Sequence, residues 1–137
     1  MSERIHPGLS GADPQRLRAF VAEHRARLRR DHELRRCGPD TVAGLSALMD
    51  AVIASLYGAV VPGEGVERPG SGCAVVAVGG YGRGELFPAS DVDLMFLFDP
   101  PARGEGLVVS KGVLHPLWDL GYTVGHSLRR IRDCLDL

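Results

Sequence analysis

One stretch, Cys73 to Asp99, limits what this chain can fold into more than any other. It reads Cys-Ala-Val-Val-Ala-Val, Gly-Gly-Tyr-Gly-Arg-Gly, Glu-Leu-Phe-Pro-Ala-Ser, then Asp-Val-Asp-Leu-Met-Phe-Leu-Phe-Asp. The run Cys73 to Val78 is short, apolar and valine-rich, the pattern of a buried strand. Gly79-Gly80 ends it with residues that allow a sharp turn or a close approach to the backbone. Pro88-Ala89-Ser90 leads into Asp91-Val92-Asp93, and Leu94 to Phe98 continues as a second apolar strand. The expected fold is α/β (α+β): a small mixed sheet with flanking helices, its site on the first two strands.

Alternate residues of a strand share a face, so Asp91 and Asp93 are expected side by side. Two adjacent carboxylates repel unless a cation lies between them. Hard oxygen ligands of this kind suit Mg²⁺, which binds one or two carboxylates together with substrate phosphates. A glycine turn beside the pair offers backbone N–H groups to phosphate oxygens. The stretch therefore reads as a nucleoside-triphosphate and metal site. Two commoner phosphate motifs fail here. In a P-loop spacing Gly79 and Gly84 fit, but Glu85-Leu86 stand where Lys and Ser/Thr are needed. The dinucleotide spacing starting at Gly80 and Gly82 meets Glu85 in place of its third glycine. The plain alternative is a tight hairpin with two solvated aspartates at the start of a strand.

Gly79-Gly80, ten intervening residues, then Asp91-Val92-Asp93 resembles the pattern of the DNA polymerase beta-type nucleotidyltransferase superfamily. The fuller string from Gly79 to Leu94 resembles more narrowly the bacterial PII-protein uridylyltransferase/uridylyl-removing enzymes. So does the run Leu117-Trp118-Asp119-Leu120-Gly121-Tyr122-Thr123-Val124-Gly125-His126-Ser127. The resemblance covers roughly residues 73 to 137. It implies transfer of UMP from UTP to a tyrosine hydroxyl of a PII signalling protein, with Mg²⁺ and loss of pyrophosphate. It places Asp91 and Asp93 as metal-holding catalytic residues. Gly79, Gly80, Arg83 and Ser90 become nucleotide contacts, Arg83 because guanidinium matches phosphate oxygens. Ser90 fits either a phosphate contact or a turn hydroxyl, and Tyr81 either stacks on a base or packs. Two alternatives stay open: a relative with another base or acceptor, and a nucleotide-binding fragment without turnover.

Composition excludes several other classes. At 137 residues the chain suffices for one domain with a real core. A net charge of −1 gives no global field toward nucleic acid or membrane. No apolar run is expected to reach the length of a membrane span, and the polar start does not read as a signal peptide. Cys37, Cys73 and Cys134 are odd in number and far apart, so reduced thiols and a cytoplasmic setting are expected.

Along the chain, residues 1–12 read as a loose arm. Asp13-Pro14 opens a helix to about Cys37, with Leu17, Phe20, Val21, His24, Leu28 and Leu34 near helical spacing. Its many arginines make either a basic docking face or a solvated one, and His24 reads as a packing residue. Gly38-Pro39 is expected to stop that helix, and Asp40 or Thr41 to cap a second one running to Gly58. Residues 62–72 read as a flexible loop and Pro100 to Gly106 as another, with Asp99 capping the strand before it. A third helix is expected over Leu107 to Leu120, kinked or restarted at Pro116, and a third strand over Tyr122 to Leu128. The organisation is a helical hairpin over 1–60 and a nucleotidyltransferase core over 61–137. Superfamily members usually carry a third carboxylate on a neighbouring strand, where this chain has Gly125-His126-Ser127. His126 has no evident partner and fits a structural or supporting role. The chain reads as the N-terminal piece of a larger enzyme, so uridylyl removal and glutamine sensing are not expected of it.

Overall fold

The computed structural model describes residues 13–61, 72–99 and 103–136. The expected arm over 1–12 and nearly all of the loop over 62–72 lie outside the described residues. Helix α1 spans Pro14–Arg35 and α2 Gly38–Val60; strand β1 follows at Cys73–Ala77 and a one-turn helix α3 at Gly79–Gly82. Then come β2 (Val92–Phe98), α4 (Arg103–Asp119), β3 (Val124–Arg130) and α5 (Ile131–Leu135). The strands form one mixed sheet in the order β1-β2-β3, with β1 antiparallel and β3 parallel to β2.

The core lies on one face of this sheet. Val92, Leu94, Phe96 and Phe98 alternate inward from β2 and are buried, while Asp93, Met95 and Leu97 between them are only half-buried. Helix α4 lies across the strands and brings Val109, Val113, Leu114 and Leu117 to the same core. Helix α2 packs on α4 and adds Leu48, Met49, Val52, Ile53 and Leu56. Small residues set the closest approaches. A Cβ on Gly112 would run into Val60, and one on Gly44 into Leu28.

Several boundaries differ from expectation. Gly38-Pro39 belongs to the first turn of α2 rather than to a gap. Helix α1 ends sharply because Arg36 turns left-handed (φ 50°), and proline is well tolerated at the next helix start. Gly58 lies inside α2, which continues to Val60. Helix α4 starts at Arg103, so Gly104 and Gly106 are helical; Gly106 faces Phe98 and Leu128, where a Cβ would make only ordinary contact. Pro116 sits within α4 without ending it, flanked by the core residues Leu114 and Leu117. The third strand starts and ends two residues later than expected, at Val124–Arg130. Leu34 does not join the apolar face of α1 and is 83% exposed. His24 is a packing residue: its Nδ1 donates to the Phe20 carbonyl at 2.8 Å and its ring lies against Phe20.

Helix α2 also corrects the expectation about apolar runs. It is 23 residues long and holds an 18-residue stretch of mean hydropathy 1.6, enough to cross a membrane by length and composition alone. In the fold its apolar stripe faces α4 and the core instead.

Phe96 is fully buried at the centre of the middle strand, so Phe96→Ala leaves a cavity that no neighbour can fill. The expected loss is about 3–5 kcal/mol of unfolding free energy, read from urea denaturation.

Candidate functional site

The site is built where β1 ends, β2 begins and β3 runs alongside. Val92 is wholly buried, so its neighbours Asp91 and Asp93 project from the opposite side of the chain. Asp91 precedes the strand and is exposed; Asp93 is within it and half-buried. The backbone is pinned on both sides: Val78 N–H donates to the Asp93 carbonyl at 3.0 Å, and Val92 N–H to the Thr123 carbonyl at 2.9 Å.

Two glycines shape the space around the Asp93 carboxylate. Gly79 has a φ of +60°, and a Cβ there would come within 2.7 Å of Asp93 Oδ2. Gly125 lies directly opposite Asp93 on β3, and a Cβ there would collide with Oδ1. The carboxylate thus occupies a slot that exists only because both neighbours lack side chains. Among the described residues no Lys or Arg forms an ion pair with Asp91 or Asp93.

The glycine turn is the one-turn helix α3. Arg83 N–H closes it onto the Gly79 and Gly80 carbonyls, and Glu85 N–H donates to the Gly80 carbonyl at 2.9 Å. A Cβ on Gly82 would sit 2.7 Å from the Ala77 carbonyl, so backbone packs on backbone there. Arg83 is exposed and its Nε pairs with Glu85 at 3.2 Å, a surface contact that leaves the guanidinium readily available. Ser90 closes the turn before Asp91: Ser90 N–H donates to the Phe87 carbonyl at 3.0 Å, and its Oγ accepts from Phe87 N–H at 3.2 Å. Asp99 follows β2 and its N–H donates to the Gly72 carbonyl at 2.9 Å.

Tyr81 packs rather than presenting its ring to a ligand. It is 5% exposed, and its hydroxyl donates to Asp50 Oδ1 at 2.6 Å. Burial, reinforced by the Asp50 carboxylate, pushes this hydroxyl well above its ordinary value of 10.0. That raised value means the stabilisation is complete below the ordinary pKa and is lost only as the pH climbs beyond it.

His126 pairs across the sheet with Leu94, on the side away from Asp93, and its ring meets the edge of Trp118 at 5.9 Å. The structure therefore does not bring it to the carboxylates. Sequence reasoning missed Gly125, Asp50 and Ser46. A glycine inside a strand was a usable signal for close approach, whereas nothing in the spacing of α2 marks Asp50 or Ser46.

The nucleotidyltransferase domain family matches residues 64–123. The bifunctional uridylyltransferase/uridylyl-removing enzyme of Azospirillum brasilense is 40% identical over 136 residues, 97% of this chain and 14% of that protein. The enzyme of the same name from Caulobacter vibrioides is 41% identical over 135 residues, 98% of this chain and 12% of that protein. That from Chromobacterium violaceum is 35% identical over 130 residues, 93% of this chain and 14% of that protein. The chain carries a nucleotidyltransferase domain, and its three-stranded mixed sheet with flanking helices agrees with the polymerase beta-like fold. Within that class it matches the N-terminal region of the bifunctional uridylyltransferase/uridylyl-removing enzymes over nearly its whole length. It spans 14% or less of the length of these three relatives.

The residues present fit a divalent ion in part. Two carboxylates on one side of the chain, one of them in a glycine slot, form an oxygen donor set of the kind Mg²⁺ takes together with water and phosphate. Among the described residues no group of three His, Cys, Asp or Glu side chains is placed to hold a metal. The strand beside Asp93 offers glycine, not a third acid.

Gly125→Ala tests the slot. The added methyl group displaces the Asp93 carboxylate, and divalent-ion affinity, read by Mn²⁺ titration, is expected to fall about tenfold or more. The melting temperature should move far less than in Phe96→Ala.

Proposed function

We propose that this chain carries the nucleotide site of a uridylyltransferase, which transfers UMP from UTP to a tyrosine hydroxyl of a PII-type signalling protein. The observation that carries the reading is the Asp91–Asp93 pair beside the glycine turn, with the Asp93 carboxylate set between Gly79 and Gly125. The narrower choice of base rests on similarity to proteins named uridylyltransferases. The choice of acceptor rests on the family resemblance.

In this reading the acceptor hydroxyl oxygen bonds to the α-phosphorus of UTP as the bond to the bridging α,β-oxygen breaks. Pyrophosphate leaves with that electron pair, and the hydroxyl proton passes to a carboxylate or to water. Asp91 and Asp93 would hold Mg²⁺, which supplies neutralisation of the triphosphate charge. The backbone of Gly79 and Gly80 meets the triphosphate, and Arg83 exchanges its exposed Glu85 partner for a phosphate oxygen. Ser90 keeps the turn that delivers Asp91. The setting is cytoplasmic, where UTP is found. One observation favours a second reading, nucleotide binding without turnover by this chain alone: only two acids meet at the site among the described residues.

Calorimetry with UTP, with and without Mg²⁺, tests the site. The expected result is metal-dependent binding that falls at least tenfold in the Asp91→Asn/Asp93→Asn double variant. Binding indifferent to both aspartates would overturn the proposal. Radiolabel transfer from UTP to a PII protein separates the two readings, because binding without transfer selects the second.

A further inference from the structure

The exposed part of the glycine turn hangs from helix α2 by two side-chain hydrogen bonds. At one end, the Tyr81 hydroxyl donates to Asp50 Oδ1 at 2.6 Å. At the other, Leu86 N–H donates to Ser46 Oγ at 3.1 Å. Ser46 and Asp50 are four residues apart on α2, hence one turn apart on the same face. Tyr81 and Leu86 are both buried, whereas Gly82, Arg83, Gly84 and Glu85 between them are exposed. Inside the loop, Gly84 N–H donates to the Tyr81 carbonyl and Glu85 N–H to the Gly80 carbonyl, so it moves as a unit.

Backbone contacts hold the base of that unit, with Gly82 N–H donating to the Val78 carbonyl at 2.9 Å, but they leave its outer part less constrained. The Tyr81 side chain borders a cavity of about 430 Å³ shared with Ile53, Tyr57, Val75 and Leu94, which leaves room for the ring to shift. The hydroxyl adds a directional anchor to the burial of the ring. A hydrogen bond to a carboxylate is roughly twice as strong as one between neutral groups, and it is directional. Gly79 and Gly80 immediately precede Tyr81, so the position of the ring sets where their backbone N–H groups point.

We infer that Asp50 and Ser46 are positioning residues for nucleotide binding: through Tyr81 and Leu86, helix α2 holds the phosphate-receiving turn in place over Asp93. The inference rests on the nucleotide-site reading above. It makes the helical hairpin part of the substrate site, so displacement of α2 alters nucleotide affinity before it alters the fold. Loosening the clamp weakens ground-state binding of UTP, and the acids that face the reacting phosphorus stay where they are. The effect falls on KM more than on kcat.

The test uses Tyr81→Phe, Asp50→Ala, Asp50→Asn and Ser46→Ala, with calorimetry of UTP in Mg²⁺ and amide hydrogen exchange run on each. Tyr81→Phe and Asp50→Ala are each expected to weaken UTP binding about tenfold, and the double variant no further than either single one. Asp50→Asn keeps an acceptor for the hydroxyl and should stay within about threefold of the parent. Exchange at residues 80–86 should speed up in the same order while the amides of β2 stay protected. If Asp50→Ala fails to fold, Ser46→Ala and Tyr81→Phe carry the test. Parent-like affinity in Tyr81→Phe and Ser46→Ala, beside a parent that binds Mg²⁺ and UTP, overturns this inference alone. A parent that binds no UTP overturns the site reading, and this inference with it.

Discussion

Strand β2 has two opposed requirements on alternate residues, and the rest of the structure follows from meeting both. Val92, Leu94, Phe96 and Phe98 need water excluded, while Asp93 between them needs water, a cation or a phosphate within reach. A strand separates the two because its side chains alternate across the sheet. The apolar side draws α4 and α2 over it. On the other side, the Asp93 carboxylate would still be crowded by the neighbouring strands if they carried side chains at that level. Gly79 and Gly125 remove that crowding from both sides at once. The slot is a product of the sheet register, since Gly125 is the residue paired with Asp93 and no other residue of β3 could serve.

That arrangement explains why the glycine turn is a tight helical turn. A looser loop would carry Gly79 away from Asp93 and leave backbone groups without partners beside a carboxylate. Instead Gly79 takes a φ of +60°, and the next residues close a single turn over the Ala77 carbonyl, where Gly82 allows contact of backbone on backbone. The conformation suits few residues other than glycine. It is also stiff enough to hold its N–H groups in one orientation when an anion arrives.

Much of this was legible in the sequence, and the failures have physical causes. The strands around the glycine turn, the pair of aspartates and the two long N-terminal helices all follow from apolar periodicity and punctuation, which are local signals. Gly38-Pro39 and the segment before Leu107 were misread because glycine and proline break helices in general. Here proline sits in a permitted first turn, and Gly104 and Gly106 are carried within α4. Tyr81 could not be decided from the sequence, since its partner Asp50 lies 31 positions away on another element. The same limit hid Gly125, whose meaning depends on parallel pairing with a strand more than thirty residues earlier. Sequence patterns report what a residue does to its own segment, and site geometry is mostly a matter of what one segment does to another.

Helix α2 shows how far the second kind of relation goes. By length and composition it is an apolar helix of 23 residues, and its polar side chains look like interruptions. In the fold two of them are attachments for the turn. Ser46 is buried and accepts the Leu86 N–H, a backbone donor with no partner in its own loop. Asp50, exposed at the edge of the same face, accepts the Tyr81 hydroxyl. An alanine at either position would serve the core equally well and leave the turn attached at one end only. Ser46 and Asp50 therefore belong to the geometry of the turn and the apolar residues of α2 to the core. A single helix sets both, so the position of the glycine turn over Asp93 is coupled to the packing of α2 on α4.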